Sequence, residues 1–239
     1  MNEECLNRYS RQLKILGEAG QEKLRNSKVG VAGVGGLGST VTMLLAAAGV
    51  GKLVLVDDGE VELSNLNRQI LYTEKDLGKA KVEVASKRLR ALNSGIEVIP
   101  VKASLHSKEA QEVLKGVDVL VDCLDNWDSR IVLDRLSWKN SIPLVHAGIS
   151  EFYGQSTTVV PGITSCLKCL LGITTDTEGG LPQVISPTAS LLGAVEAAEV
   201  MKLLTGIGEP LTNRLLVVDL KRMDFTILQI KGSPKCRCY

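Results

Sequence analysis

Histidine is scarce in this chain: there are two, His106 and His146, among 239 residues. Chemistry that depends on a histidine general base has almost nowhere to stand, and both read as structural or surface residues. Net charge is nearly absent as well, at +1. No global attraction to nucleic acid or to an anionic membrane follows from it, so any charge-based function must be local. Long apolar runs are missing. The longest, "VTMLLAAAGVG", is too short to cross a bilayer. The opening stretch "MNEECLNRYSRQLK" is polar and charged and does not resemble a secretory signal. A cytoplasmic protein with no nucleic-acid or membrane partner is expected. The cluster "SKRLR" at 86–90 reads as an exposed helix face. No repeat, linker or low-complexity tract divides the chain, so one domain is expected over 1–239.

What is present is an ordinary globular composition, 44% apolar and 23% charged, enough for a sizeable core. A helical lead-in over 5–25 precedes an alternation of strands and helices. Strands are predicted at "KVGVAG", "KLVLVDD", "IEVIPVKA", "VDVLVDCLD" and "IPLVHAGI", with helices between them. That rhythm predicts an α/β fold: a Rossmann-like, doubly wound, mostly parallel sheet with helices on both faces. After Gly148 the rhythm changes. "FYGQSTTVV" reads as an antiparallel strand, Ser186 and Pro187 start a helix that Gly206 stops, and two final strands form an antiparallel C-terminal extension. The stretch "GEVELSNLNRQILYTEKDLG" has no clear period and reads as a long functional loop.

The most informative segment is "GVAGVGGLGST" at 30–40. Gly33, Gly35 and Gly38, with Gly36 between them, satisfy G-x-G-x-x-G between a strand and a helix. Such glycines let backbone amides approach phosphates, and the helix N-terminus adds partial positive charge. Asp57 closes the next strand, where an acidic residue meets a ribose hydroxyl. On this signal alone NAD is the usual occupant. Asn65, Arg68 and Lys81 shift the balance, because they are expected near the mouth of the same crevice. Hydride transfer needs no extra cations there, whereas a triphosphate losing pyrophosphate does, since charge grows on the leaving group. Taken one at a time, Arg11 and Arg68 are equally consistent with solvated surface arginines, Lys81 with a solvated helix face, and Asp125 with a helix cap.

Six motifs in order, "RYSRQ" (8–12), "GVGGLGS" (33–39), "LVDD" with "SNLNRQ" (64–69), "GKAKVE" (78–83), "DCLDN" (122–126) and "CLKC" (166–169), resemble the MoeB/ThiF/HesA family. That family comprises adenylyltransferases that activate ubiquitin-like and sulfur-carrier proteins, related to the adenylation domains of ubiquitin-activating enzymes. The resemblance covers almost the whole chain. It implies that ATP lies across the loop of Gly33, Gly35, Gly36 and Gly38, with Asp57 on the ribose. It places Asn65, Arg68 and Lys81 on the phosphates and Asp125 on Mg²⁺. Arg11 would reach the ATP of the partner subunit of a homodimer. The substrate would be the C-terminal Gly-Gly carboxylate of a carrier protein, which brings its own nucleophile. Within the domain, helices would occupy 1–27, the nucleotide part 28–150, and the carrier- and zinc-binding part 151–239. A tRNA-base dehydratase of related chemistry, an NAD-dependent oxidoreductase and a silent ATP- or partner-binding scaffold are the alternatives.

Of the six cysteines, Cys166-x-x-Cys169 fits half of a tetrahedral zinc site, and Cys236-x-Cys238 would supply the rest. The second pair is one residue shorter than the family usually shows. Such zinc would be structural, pinning the chain end. Many relatives carry a further cysteine after the first pair, which forms a thioester or persulfide. Here no cysteine occurs from Leu170 to Lys235, so adenylation without a covalent enzyme intermediate is expected, as in the MoeB branch, with sulfur coming from a separate sulfurtransferase. Cys123 reads as a small buried residue and Cys5 as inert. Phe152 and Tyr153 suit either a docking surface for a β-grasp partner or core packing.

Overall fold

Short runs rich in valine and leucine build the parallel half of the sheet: β1 (Lys28–Ala32), β2 (Lys52–Val56), β3 (Glu97–Val101), β4 (Val119–Asp122) and β5 (Leu144–Ser150). Near-continuous apolar strands suit a sheet covered on both faces. The computed structural model describes residues 3–172, 183–230 and 238. In it the parallel strands run in the order β3-β2-β1-β4-β5. Pro100, which cannot donate to a ladder, lies in the edge strand β3. Beyond β5 the same sheet continues antiparallel through β6 (Tyr153–Val159), β7 (Arg214–Asp219) and β8 (Asp224–Gln229).

Two cores flank the sheet. One holds Val41 and Leu45 of α3 (Gly36–Ala48), Val82 and Leu89 of α4 (Lys81–Leu92), and Leu192 and Val200 of α8 (Ser186–Thr205). The other holds Ala110 and Leu114 of α5 (Lys108–Leu114) and Leu133 and Leu136 of α6 (Trp127–Asn140). The doubly wound expectation is met. α3 and α8 cross closely at Gly193, where a Cβ would lie 2.8 Å from the Leu37 carbonyl oxygen. α8 starts at Ser186 and stops at left-handed Gly206, as expected, although the Ser186 position is helical and Ile185 takes the cap.

The helical lead-in is there, in pieces. It divides into α1 (Glu3–Arg8) and α2 (Ser10–Asn26), and α2 is itself broken at Gly17, where φ is 67° and ψ 171°. Tyr9 at the first break is buried, and its hydroxyl accepts a hydrogen bond from Asn93 Nδ2 at 2.8 Å. That tertiary contact overrides local helix propensity. The aperiodic loop gains its order from two 3₁₀ turns, Leu63–Asn65 and Glu74–Asp76, each closed by a capping box. The "SKRLR" face is less open than expected. Arg88 pairs with Asp76 and donates to the Leu71 carbonyl, and Arg90 donates to the Val98 carbonyl, so both arginines tie down neighbouring chain. Among the described residues no helix is long and apolar enough to cross a membrane.

Candidate active site

The glycine loop joins β1 to α3 at the C-terminal edge of the sheet. In the order β3-β2-β1-β4-β5, the connection after β1 runs to one side, toward β2, and the connection after β4 to the other, toward β5, which opens a crevice between them. Gly33 has φ +89°, and a Cβ on it would stand 2.5 Å from the Cys123 carbonyl oxygen. Gly38 approaches the Gly33 carbonyl so closely that a Cβ has no room either. Gly35 is the N-cap of α3, and no side chain caps that helix or places an acid in its first turn. Its leading amides and its dipole are left for an anionic ligand.

Asp57 stands just past β2 and buttresses this loop. Its Oδ2 accepts from Val34 N and its Oδ1 from Gly59 N, both at 2.8 Å. Tyr72 fixes Val34 from the other end, its hydroxyl donating to the Val34 carbonyl at 2.8 Å. Burial pushes the Tyr72 phenol well above its usual range, with the Asp57 charge adding to the effect, so it remains a donor. The 3₁₀ turn after Glu62 places Asn65 inside, with Oδ1 accepting from Glu62 N at 3.1 Å. Arg68 follows. Its Cγ lies 3.6 Å from where a Gly36 Cβ would be, and its Nη1 donates to the Ser64 carbonyl at 2.9 Å and to Asn67 Oδ1 at 3.0 Å. Gln69 Nε2 lies 3.5 Å from the corresponding point on Gly35, and its buried Oε1 has no partner among the described residues.

Lys81 opens α4 on the other side of Asp57. Its Nζ and Asp57 Oδ1 lie 3.2 and 3.0 Å from the position of a Gly59 Cβ. No hydrogen bond or ion pair holds the Lys81 ammonium among the described residues. Asp125 is exposed beyond β4, and its Oδ1 accepts from Asn126 Nδ2 at 3.1 Å. It does not cap α6: Asn126 does, accepting from Ser129 N at 2.9 Å. Arg11 is exposed on α2, away from the loop in sequence and without a partner among the described residues. The structure thus brings Arg68, Lys81, Asp57 and the glycines to one crevice, and leaves Arg11 pointing to solvent.

Beneath the crevice lie groups that sequence reasoning missed. Asp122, His146 and Arg130 form a buried cluster on the α6 face. On the α8 face Cys123 Sγ sits 3.7 Å from Glu196 Oε2, and Glu196 Oε1 has no partner among the described residues. Burial, then the nearby Asp122 charge, pushes the Glu196 carboxyl well above its usual range. Burial and Glu196 likewise push the Cys123 thiol up, and it is buried as expected. A signal existed for Glu196: it falls four residues from Leu192 and four from Val200, on the apolar stripe of α8.

A carboxyl whose native value is raised stabilises the fold fully below its unfolded value of 4.5 and progressively less as pH climbs toward the native value. Glu196→Gln removes that loss. The variant is expected to unfold at a higher temperature than the parent at pH 8, with a smaller gap at pH 6. The gap should widen as pH rises across the window. Thermal unfolding of both proteins at the two pH values checks this; a gap independent of pH would contradict it.

The cysteines converge too. The Sγ atoms of Cys166, Cys169 and Cys238 all lie within 4.8 Å of one another, with 3.1 Å between Cys169 and Cys238. Zinc–sulfur bonds of about 2.3 Å require thiolates that close, so three ligands fit a zinc ion. Cys236, residues 173–182 and the side chain of Cys5 lie outside the described residues.

Comparison with known proteins matches residues 9–239 to the ThiF family. The chain is 40% identical over 238 residues to the SAMP-activating enzyme E1 of Haloferax volcanii, covering 97% of this chain and 87% of that protein. It is 37% identical over 247 residues to the sulfur carrier protein adenylyltransferase of Thermus thermophilus, covering 98% and 90%. Among solved structures, E. coli MccB with ATP aligns with a TM-score of 0.86 at 28% identity, over 97% of this chain and 74% of that one.

Proposed function

Because this chain belongs to the ThiF family, we propose that it is an ATP-dependent adenylyltransferase acting on the C-terminal Gly-Gly carboxylate of a ubiquitin-like or sulfur-carrier protein. The observation that carries this reading is a pair of cations at the loop: Lys81, its ammonium without a partner among the described residues and standing beside Asp57, and Arg68, against Gly36. A redox dinucleotide would give that pair of cations no task, while a departing pyrophosphate does.

In the reaction, a carrier carboxylate oxygen attacks the α-phosphorus of ATP. The bond from that phosphorus to its bridging oxygen breaks, and pyrophosphate leaves with the electron pair. The product is an acyl-adenylate. Two anions must meet, so the chain's task is to align them and offset their repulsion. The glycine loop and the α3 N-terminus bind phosphate oxygens, Asp57 holds the ribose, and Asn65, Arg68 and Lys81 take up charge on the leaving group. Asp125 is an exposed carboxylate with acceptor capacity left over, which fits a magnesium ligand. Bound there, Mg²⁺ would supply further charge neutralisation. The carboxylate is already a nucleophile, so no base is needed. With no cysteine from Leu170 to Lys235, the adenylate would pass to a separate sulfur donor or acceptor.

The carrier is assigned to the antiparallel end of the sheet. There Phe225 and Ile227 of β8 are about half exposed, at 51% and 52%, and Tyr153 of β6 is exposed on the opposite face of the same extension. Lys221 Nζ lies over the Phe152 and Tyr153 rings at 5.4 and 5.5 Å, which favours a surface role for these aromatics.

ATP–pyrophosphate exchange that requires a carrier ending in Gly-Gly tests the proposal. Tight NADH binding with no effect of ATP would favour the oxidoreductase, and ATP binding without exchange for every carrier would favour a scaffold. Exposed Arg11 is assigned to the partner subunit's nucleotide in a homodimer. Mixing Arg11→Ala with Lys81→Ala chains is therefore expected to recover part of the activity that each lacks, and failure to recover any would mean self-contained sites. Cys166, Cys169 and Cys238, with Cys236, are assigned to structural zinc. One zinc per chain by metal analysis, and a lower Tm after chelation, are the expected results.

A further inference from the structure

Asp125 is exposed, yet the backbone on either side of it is held. On one side Asn126 caps α6 through Ser129 N. On the other, Leu124 is gripped at both of its peptide groups. Its N–H donates to Asp122 Oδ1 at 3.1 Å, and its carbonyl accepts from Arg130 Nη2. Both gripping side chains are buried, Asp122 at 0% and Arg130 at 6% exposure. Arg130 Nε lies 3.9 Å from Asp122 Oδ1, and His146 Nδ1 donates to Asp122 Oδ2 at 2.6 Å. Register explains the last contact. Asp122 ends β4 directly beside His146 of β5, and both project from the same face. Trp127 completes the enclosure, its ring 6.1 Å from that of His146 and 5.1 Å from Arg130 Cζ.

A buried ion pair of this kind adds little to global stability compared with apolar packing, because desolvation offsets the Coulomb gain. What this one does that apolar residues cannot is bind two backbone polar groups of one irregular turn. We propose that Asp122, Arg130 and His146 are positioning residues that fix the turn at 124–126, and so hold the Asp125 carboxylate where it meets the magnesium ion of the nucleotide. The inference rests on the reading of Asp125 as a magnesium ligand. Asp122 accepts from the turn and from His146, Arg130 donates to the turn, and His146 orients Asp122 from behind. Supporting partners of metal ligands are commonly worth 10- to 100-fold in metal affinity, so about that range is expected here.

The test uses the full chain and calorimetric ATP binding, measured with Mg²⁺ and again with EDTA. In the parent, Mg²⁺ tightens binding, and Asp125→Ala removes that gain. Arg130→Lys keeps the charge but cannot span both Asp122 and the Leu124 carbonyl. It is expected to lose about tenfold or more of the magnesium-dependent gain while its affinity in EDTA stays near the parent value. The double variant should bind no more weakly than Asp125→Ala alone. Asp122→Asn serves as a second variant if Arg130→Lys does not fold. Hydrogen exchange of the 123–126 amides, without nucleotide, separates the two readings. Those amides should exchange about tenfold faster or more in either variant, with β1 and β2 unchanged. If Asp125→Ala leaves the magnesium gain intact, the magnesium reading falls and exchange alone decides the positioning role. Parent-like exchange at 123–126, or a full magnesium gain in Arg130→Lys where Asp125→Ala has lost it, would overturn the proposal.

Discussion

Lys81→Ala is expected to lower carrier-dependent ATP–pyrophosphate exchange by about 10²- to 10³-fold, the usual consequence of removing one charge stabiliser aimed at a transition state. The expectation comes from what Lys81 lacks as much as from where it stands. Its Nζ shares the space over Gly59 with Asp57 Oδ1, and no described residue accepts from it. Among the described residues this ammonium is left for an anion brought by a ligand. Lys79, two residues earlier, is the control. It pairs with Asp76 Oδ1 at 3.4 Å and donates to the Lys75 carbonyl at 2.7 Å, so its charge is already in use. Lys79→Ala should leave exchange within about twofold of the parent, since surface pairs of this kind contribute little. Folding of the Lys81 variant should change by less than about 0.5 kcal/mol, as no buried contact is lost. Arg68→Ala should resemble Lys81→Ala in exchange rate. Near-parental turnover in both would remove the basis for placing a triphosphate in the crevice.

Gly33→Ala is expected to cost about 3 kcal/mol of stability, roughly 6–12 °C in Tm for a chain of this size, together with ATP binding. Two effects combine. At φ +89° an alanine is strained whatever its surroundings, and its Cβ would also meet the Cys123 carbonyl oxygen at 2.5 Å and the carbonyl carbon at 3.0 Å. The obstacle is backbone, anchored by Cys123 N donating to the Ala32 carbonyl at 2.9 Å, so it cannot swing aside as a side chain would. Gly35→Ala offers the contrast. There the nearest atom is Gln69 Nε2 at 3.5 Å, an ordinary contact, and stability should fall by less than about 1 kcal/mol. Thermal unfolding and nucleotide titration of the two variants separate the conformational demand at Gly33 from general sensitivity of the loop. Equal losses in both would argue against it.

Much of this architecture was legible in residue order. Near-continuous apolar strands alternating with amphipathic helices announced the parallel sheet, and the loss of that rhythm after Gly148 announced β6 to β8. That the glycine loop, Asp57, Arg68 and Lys81 would share one crevice was legible because their spacing is short. The break at Tyr9 was not, since its cause is a hydrogen bond to Asn93, 84 residues away. Asp125 was consistent with a helix cap in sequence, but the structure gives that place to Asn126, whose side chain accepts from Ser129 N. The "SKRLR" arginines looked solvated because their acceptors, Asp76 and the Leu71 and Val98 carbonyls, come from separate segments.

Sequence by itself determined the period of each element, the order of the motifs and the charges carried to the crevice, because these depend on neighbours a few residues apart. Tertiary structure alone decided that Asp122 would meet His146 and Arg130, and that Glu196 would be buried against Cys123. Those pairings depend on strand register and helix packing, where a shift of one residue turns a side chain to the opposite face. The free energy of each polar group is set by what surrounds it after folding, and no local pattern encodes that.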